Sequence, residues 1–212
     1  MTLPVTAIAA PASLALRQRA DYTQKYNHKS GRHGWLRLTP AYSVKVVDEL
    51  LAAFSGDPAH VLDPFCGTAT TALCAATKGH KATTVEINPF LVWLATTKTA
   101  TYSAATIHAT RHACAEAIAL VKKRGFKPMA EPPIHNIARW WSEPARIFLC
   151  RLRPAIEQVT ASNSSQRSLL LVAFCRTLIT LSNVAFNHQS MSFRADDQNE
   201  LNLPNDLPGL FQ

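Results

Sequence analysis

The chain has 212 residues, 47% apolar and 17% charged, so it can form a core and is too sparsely charged for an intrinsically disordered protein. It carries 22 Lys and Arg against 14 Asp and Glu, a net charge of +8. This balance favours an anionic partner, nucleic acid before a membrane surface, although an ordinary basic protein has the same composition.

The five cysteines include no Cys-x-x-Cys pair, which argues against a metal site or a disulfide framework and favours a reducing, cytoplasmic compartment. Residues 1–20 are mildly apolar but lack a basic start and contain two prolines, so they indicate an irregular arm rather than a signal peptide. The longest later apolar run, residues 169–175, is too short to span a bilayer. We therefore expect neither a bound metal nor a membrane contact.

A polar, basic and aromatic loop is predicted over residues 21–40, followed by a helix over residues 41–54 with apolar residues at helical spacing. Strands and helices then alternate, which is typical of a parallel sheet with covering helices. In chain order these are a strand over residues 60–62, a helix over residues 70–78, a strand over residues 82–87 and a helix over residues 88–98.

The second half of the sequence is predicted to be helical. The helical segments are residues 104–124, 138–160 and 166–186, with a Pro-rich loop between the first and the second. The last of them is apolar nearly all round, which predicts a deeply buried helix.

A glycine loop, residues 63–71 (DPFCGTATT), lies between the first predicted strand and the following helix. Gly67 allows a sharp turn and a close approach to a ligand, and the helix beyond it offers free backbone N–H groups. Glu86 ends the second strand, at the roughly 20-residue spacing of an acid that accepts hydrogen bonds from a cofactor ribose. A lone glycine would be weak support, but Asp63, Phe65 and Glu86 together indicate a nucleotide-type cofactor site.

Three segments resemble motifs of the S-adenosylmethionine-dependent DNA methyltransferases that modify exocyclic amino groups. They are residues 63–71 (DPFCGTATT), residues 85–90 (VEINPF) and residues 37–51 (RLTPAYSVKVVDELL). The resemblance implies S-adenosylmethionine as the cofactor. It also implies an α/β chain with a partial Rossmann-like methyltransferase fold, parallel strands with covering helices, plus a helical C-terminal part.

Carried over position by position, the resemblance implies a cofactor-binding residue set. The loop beside the methionine part comprises Asp63, Phe65, Gly67, Thr68 and Thr70. The ribose is held by Glu86, the adenine is flanked by Ile87 and Asn88, and the carboxylate end is bordered by Thr39, Pro40 and Tyr42. One position departs from the family pattern, because its second glycine is Ala69 here. Alanine accepts helical angles at a helix start, so we expect an intact fold and a methyl group close to the cofactor.

Enzymes of this class transfer the methyl group through an Asp/Asn/Ser-Pro-Pro-aromatic motif that holds a base flipped from the duplex. The one Pro-Pro pair of this chain lies in residues 131–134 (EPPI), with the wrong residue on both sides. The two predicted strands also leave a parallel sheet with open edges and apolar faces, which is costly in water. We therefore expect the cofactor-binding half of a split or truncated enzyme, with no catalytic residue here and the catalytic motif on a second subunit.

This interpretation divides the chain into four parts. They are an N-terminal arm and basic loop (1–36), a cofactor-binding α/β part (37–105), a helical part (106–194) and a flexible tail (195–212). Contacts with DNA are predicted at two places, the basic loop and the polar segment 187–194. The candidate residues are Lys29, Arg32, Trp35, Arg37, His188, Gln189 and Arg194. A solvated loop and a helix cap are the plainer interpretations of the same two segments.

The sequence thus favours the cofactor-binding subunit of a DNA methyltransferase from a restriction–modification or related system. Its substrate would be an exocyclic amino group of cytosine or adenine in duplex DNA. Two alternatives stay open. One is a methyltransferase for RNA or another substrate with an unrecognised catalytic loop, and the other is a non-catalytic module that binds the cofactor and regulates a partner.

Overall fold

The computed structural model describes residues 22–23, 26–27, 30–36, 41–54, 58–185 and 192–193. Over these residues the chain is mixed α/β, with seven α-helices, a short parallel two-stranded sheet and a short antiparallel pair of strands. It divides into two compact units, Met1–Ala100 and Thr101–Gln212. In the described part of the chain, no helix is both long and apolar enough to cross a membrane.

The first unit carries the parallel sheet. After a short 3-10 helix at Gly31–Gly34, its elements are α1 (Val44–Phe54), β1 (His60–Asp63), α2 (Thr70–Thr77), β2 (Lys81–Thr84) and α3 (Pro89–Thr99). The two strands run parallel, with His60 opposite Lys81 and Asp63 opposite Thr84. The second strand is shorter than predicted, because the chain turns away after Val85 to begin α3.

Local signals in the sequence account for the helix ends of this unit. Gly79 follows the end of α2 in the left-handed conformation, at φ +75°. The N–H groups of Gly79 and His80 then donate to the carbonyls of Ala76 and Ala75, a Schellman motif that satisfies two free carbonyls of the last turn. At the start of α3 the side chain of Asn88 accepts a hydrogen bond from the N–H of Phe90, with Pro89 in the first turn.

The two faces of the parallel sheet differ in their covering. One face bears Val61, which packs against a core made by α1 and α2. On the opposite face, Leu62 is 67% exposed and Val85 is 56% exposed. His60 and Thr83 lie on this same face, where His60 Nε2 and Thr83 Oγ1 are 2.7 Å apart. Since parallel sheets are usually buried on both faces, an open face that exposes Leu62 and Val85 beside polar residues is an unusual feature of this unit.

The second unit is a helical cluster with its own core. Its elements are α4 (Ala104–Lys122), α5 (Ile137–Trp140), α6 (Glu143–Val159), α7 (Ser165–Thr180), β3 (Val184–Ala185) and β4 (Ser192–Phe193). The core is formed by apolar side chains of α4, α6 and α7, among which Ala117, Ala145, Leu152, Ala155 and Ile156 have no exposed surface. The two short strands pair antiparallel, Val184 with Phe193 and Ala185 with Ser192.

Two predicted helices differ from those observed. The segment 138–160 is two helices, because Trp141 is extended (φ −140°, ψ 137°) and Pro144, which has no N–H, stands in the first turn of α6. The segment 166–186 ends as a helix at Thr180 and continues into β3. Its side chains are also less buried than predicted, since most of the apolar ones are only partly covered.

Pro154 lies inside α6 and has no N–H to donate to the carbonyl of Cys150, four residues earlier. That carbonyl accepts a hydrogen bond from the N–H of Met129 instead, at 2.9 Å. The proline therefore frees one backbone acceptor of the helix, and the Pro-rich loop after α4 uses it. Arg151 of the same helix donates to the carbonyls of Val121 and Lys123 at the end of α4.

Candidate cofactor site

The glycine loop is anchored to both strands of the sheet. At its start the N–H of Phe65 donates to Oδ1 of the buried Asp63 at 3.0 Å, which closes a tight turn at the end of β1. The N–H of Cys66 then donates to the carbonyl of Val85 at 2.9 Å. Gly67 follows with φ +49°, a left-handed conformation that favours glycine. The loop therefore turns where the sequence predicts and remains bonded to the second strand.

Glu86 closes this loop from the other strand. Its Oε2 accepts the N–H of Gly67 and its Oε1 accepts the N–H of Asn88, both at 2.9 Å. The backbone hydrogen bonds from Asn88 and then Gly67 lower the pKa of the Glu86 carboxyl group, so that it is ionised at neutral pH. A carboxylate has about four lone-pair positions, which leaves it able to accept further hydrogen bonds from a ligand. The structure thus brings together the glycine and the acid of the predicted site.

Two of the three threonines of the loop, Thr68 and Thr70, are buried within the unit. Thr68 is 7% exposed and Thr70 is 3% exposed, and their hydroxyl oxygens lie 3.4 Å apart. The Thr68 carbonyl accepts a hydrogen bond from Nζ of Lys98 at 2.7 Å. Both threonines therefore support the loop from inside.

Apolar side chains at the ends of the two strands are exposed. Phe65 is 75% exposed, Ile87 is 97% exposed and Tyr42, which precedes α1, is 60% exposed. The Tyr42 carbonyl accepts a hydrogen bond from Nδ2 of Asn27. Phe65 and Ile87, which flank the Gly67–Glu86 junction in sequence, offer apolar surface to a flat ligand next to the carboxylate of Glu86. Asn88 is engaged as the cap of α3, and its predicted contact with adenine stays a prediction.

Ala69 does not adopt the helical angles that we expected at the start of α2. It is left-handed, with φ +63° and ψ +31°, and it is completely buried. The loop has to reverse direction between Gly67 and Thr70, and it does so with two left-handed residues of which only one is a glycine. Because the Cβ atom of alanine crowds the backbone there, this conformation costs on the order of 1 kcal/mol.

A cavity of about 360 Å³ lies between β2, α2 and α3. Its lining includes Cys66 and Ala69 from the glycine loop, Thr84 and Glu86 from the second strand, and Ala95 from α3. The cavity is therefore bounded by the loop and the acid that the sequence assigns to the cofactor, with polar and apolar groups in its wall.

Arg32 and Trp35, two of the predicted DNA contacts, lie behind the site. The Arg32 guanidinium donates to the carbonyls of Lys98 and Ala100 at 2.9 and 2.6 Å, where its charge complements the carboxyl end of α3. It also lies 5.5 Å from the ring centre of Trp35. The structure gives both residues a role within the first unit, and their contact with DNA stays a prediction.

The remaining predicted site residues lie outside the part of the chain that the structure describes. They are Thr39 and Pro40 of the cofactor site, and Lys29, Arg37, His188, Gln189 and Arg194 of the DNA contacts.

The Pro-Pro segment belongs to the second unit. Glu131 there forms a salt bridge with Arg146 at 2.8 Å. Pro132 and Ile134 help to line an apolar cavity of about 230 Å³ together with Trp141 and Phe174. The acid that precedes the two prolines is thus already paired within its own unit.

Lys98 is the residue of this region that sequence reasoning missed. It is fully buried and touches the glycine loop through Thr68. The available signal was a single lysine within the otherwise apolar and Thr-rich sequence of α3 (PFLVWLATTKT). A charge on such a helix is usually a solvated end residue, so the pattern alone did not identify it.

Comparisons with models of known protein families, with curated proteins and with solved structures gave no match. The function is therefore argued from the residues and the geometry of the site.

Replacing Ala69 by glycine should relieve the left-handed strain and raise the free energy of unfolding by about 1 kcal/mol. The matched control is Ala76→Gly, at an exposed position of α2, which should lower the free energy of unfolding by roughly 0.5–1 kcal/mol. Chemical denaturation of both variants measures the two effects. Destabilisation by both glycines would show that Ala69 is not strained.

His33 gives the first unit a predicted sensitivity to acid. Burial, and then the charge of Lys98, lower the pKa of His33 to about 4, while Asp48 opposes the shift. Between the ordinary value of 6.5 and about 4, the unfolded chain binds a proton that the folded chain excludes, so stability falls with falling pH. Denaturation midpoints from pH 7 to pH 4 should decline less in His33→Gln than in the wild type. The exposed His112→Gln control should follow the wild type, and equal slopes in all three would contradict the assignment.

Proposed function

We propose that this chain is the S-adenosylmethionine-binding subunit of a cytoplasmic DNA methyltransferase that acts on an exocyclic amino group of cytosine or adenine in duplex DNA. The single observation that carries the proposal is the bond between the Gly67 N–H and the Glu86 carboxylate. This bond connects the tight turn at Gly67 with the acid Glu86 at one edge of the parallel sheet. A nucleoside cofactor needs both features at the same edge.

The residues of the site fit the proposed cofactor. Glu86 is ionised and keeps acceptor capacity for ribose hydroxyl groups, while Gly67 lets the backbone approach the methionine part closely. Phe65 and Ile87 offer exposed apolar surface on which an adenine ring can lie. When bound, S-adenosylmethionine supplies the methyl group that the amino nitrogen of the target base attacks, without a covalent enzyme–base intermediate.

A second chain completes the sheet in this proposal. Leu62 and Val85 expose apolar surface on one face of the sheet, and such a face is stabilised when another element covers it. In a parallel ladder, the backbone groups of His60 and Leu62 point away from β2. A partner strand beside β1 would pair these groups and place its own carboxyl end next to the glycine loop. The finished layer would be the Rossmann-like methyltransferase fold, with the Pro-Pro-aromatic motif on the partner.

The proposed role of the chain is therefore to bind and orient the cofactor. The loop fixes the methionine part, Glu86 fixes the ribose, and the partner chain contributes the pocket for the flipped base. The net charge of +8 supports association with duplex DNA, to which the basic loop around Arg32 would contribute.

Replacing Glu86 by glutamine should weaken cofactor binding about tenfold, because one charged acceptor becomes a neutral amide. Glu116→Gln is the matched control, since that carboxylate is exposed on α4 beside His112. Calorimetric titration with S-adenosylhomocysteine measures the affinity of each protein. An unchanged affinity in Glu86→Gln would remove Glu86 from the ribose site.

Leu62→Glu should abolish DNA methylation by the two-chain enzyme and leave cofactor binding by this chain intact. The chain is co-expressed with the product of the neighbouring reading frame, and methyl transfer to duplex DNA is measured. The control is Ile147→Glu, an exposed apolar residue of the second unit. Full activity of Leu62→Glu would show that the open face is not the docking surface.

The same assay separates the two alternatives. Methyl transfer to RNA or another substrate by the chain alone would favour a complete enzyme with an unrecognised catalytic loop. Cofactor binding without methyl transfer, even with the partner present, would favour a regulatory module.

A further inference from the structure

A fully buried lysine lies directly behind the glycine loop. Lys98 is in the last turn of α3, has no exposed surface, and donates from Nζ to the Thr68 carbonyl at 2.7 Å. Burial lowers the pKa of Lys98 to about 8, although Cys66 opposes the shift. A buried ammonium group destabilises a fold when it is incompletely paired, so an apolar side chain of similar length would suit this position better. The presence of lysine here needs another reason.

The groups around Lys98 give its charge little compensation. Cys66 faces it from the glycine loop, and His33 faces it from the 3-10 helix. Asp48 of α1 acts on His33, and Arg32, a second cation, donates to the backbone carbonyl of Lys98. Among the described residues, the Thr68 carbonyl is the one hydrogen-bond acceptor of Lys98 Nζ. The ammonium group is therefore directed at a single atom of the loop.

That atom belongs to a peptide group held from both sides. The Thr68 carbonyl accepts from Lys98, and the Ala69 N–H of the same peptide donates to the Cys66 carbonyl at 2.9 Å. A peptide group is planar, so these two bonds fix its orientation. Gly67, whose N–H is bonded to Glu86, comes directly before Thr68 in the chain. The strained residue Ala69 supplies the N–H of the peptide group. Removing the lysine bond would let this peptide rotate and relieve Ala69.

We infer that Lys98 is a positioning residue of the cofactor site, whose ammonium group holds the Thr68–Ala69 peptide in the orientation that presents Gly67 and the start of α2 to the cofactor. The inference rests on the proposed function, because it takes the glycine loop as the cofactor loop. Lys98 acts through the loop and does not itself touch the ligand.

As the pH rises above about 8, the stability of the fold should increase and cofactor binding should weaken. Above about pH 8 the folded chain holds Lys98 neutral, while the unfolded chain keeps the proton up to the ordinary value of 10.5. The unfolded chain then binds more protons, so Lys98 contributes a rise in stability between these two values. Over the same range its bond to Thr68 changes from a charge-assisted to a weaker neutral hydrogen bond. Cofactor binding should therefore weaken while the fold becomes more stable.

The test compares the wild type with Lys98→Met and with Lys78→Met, an exposed lysine at the end of α2. S-adenosylhomocysteine is titrated by calorimetry at pH 7 and pH 9, and thermal unfolding is followed at both values. Hydrogen exchange over residues 66–73 is measured without ligand at one pH. Because the ligand also titrates in this range, Lys98→Met supplies the baseline for the pH effect.

The expected result is an affinity of the wild type about fivefold weaker at pH 9 than at pH 7, after subtraction of that baseline. Lys98→Met should bind about tenfold more weakly than the wild type at pH 7, with faster exchange confined to residues 66–73 and an undiminished Tm. Lys78→Met should match the wild type throughout.

Two results would overturn the inference. Lys98→Met could bind with the affinity and pH dependence of the wild type. Alternatively, its Tm could fall and its exchange accelerate across the whole first unit, which would make Lys98 a structural residue only. Absence of binding by the wild type at either pH, with the partner present, would instead overturn the proposed function, and the exchange comparison would still decide whether Lys98 holds the loop.

Discussion

The first unit depends on one hydrogen bond, from the Gly67 N–H to the Glu86 carboxylate. Parallel strands bring their carboxyl ends to the same edge of a sheet, so the residues that follow β1 and β2 necessarily meet there. The bond joins a sharp turn to an acid at this edge, and after the bond from the Asn88 N–H it is the second cause that lowers the pKa of the Glu86 carboxyl group. The start of α2, the exposed side chains of Phe65 and Ile87 and the cavity beside β2 follow this junction in the chain or adjoin it.

Three features around this junction cost the first unit stability. Ala69 holds a left-handed conformation that alanine disfavours, and Lys98 buries a charge whose one acceptor among the described residues is the Thr68 carbonyl. The exposed face around Leu62 adds apolar surface that a solitary parallel sheet would normally bury. Such local costs are tolerated at sites that bind something, and here they concentrate around one loop.

Sequence reasoning succeeded where the signal is local. The sharp turn at Gly67 and the helices predicted over residues 70–78 and 88–98 follow from residue types at fixed offsets, and the structure contains all three. It failed where distant contacts decide, since the left-handed angles of Ala69 depend on a loop held by Lys98 across the unit. The single helix predicted over residues 138–160 is wrong at Trp141, where Pro144 in the first turn of α6 was the local signal of a new helix start. The cofactor assignments remain predictions, because their geometry fits a ligand without identifying it.

Pro154 removes one backbone hydrogen bond from α6, and the carbonyl that it leaves free bonds the segment after α4. Because Pro154 has no N–H, the Cys150 carbonyl accepts a hydrogen bond from the Met129 N–H. The Pro-rich segment that contains Met129 is thereby attached to α6. Engineering that replaces this proline with a stronger helix former would let the helix reclaim its own acceptor. The connecting segment would then lose one of its attachments to α6, beside the Glu131–Arg146 salt bridge, and a change designed to rigidify the protein would loosen this segment.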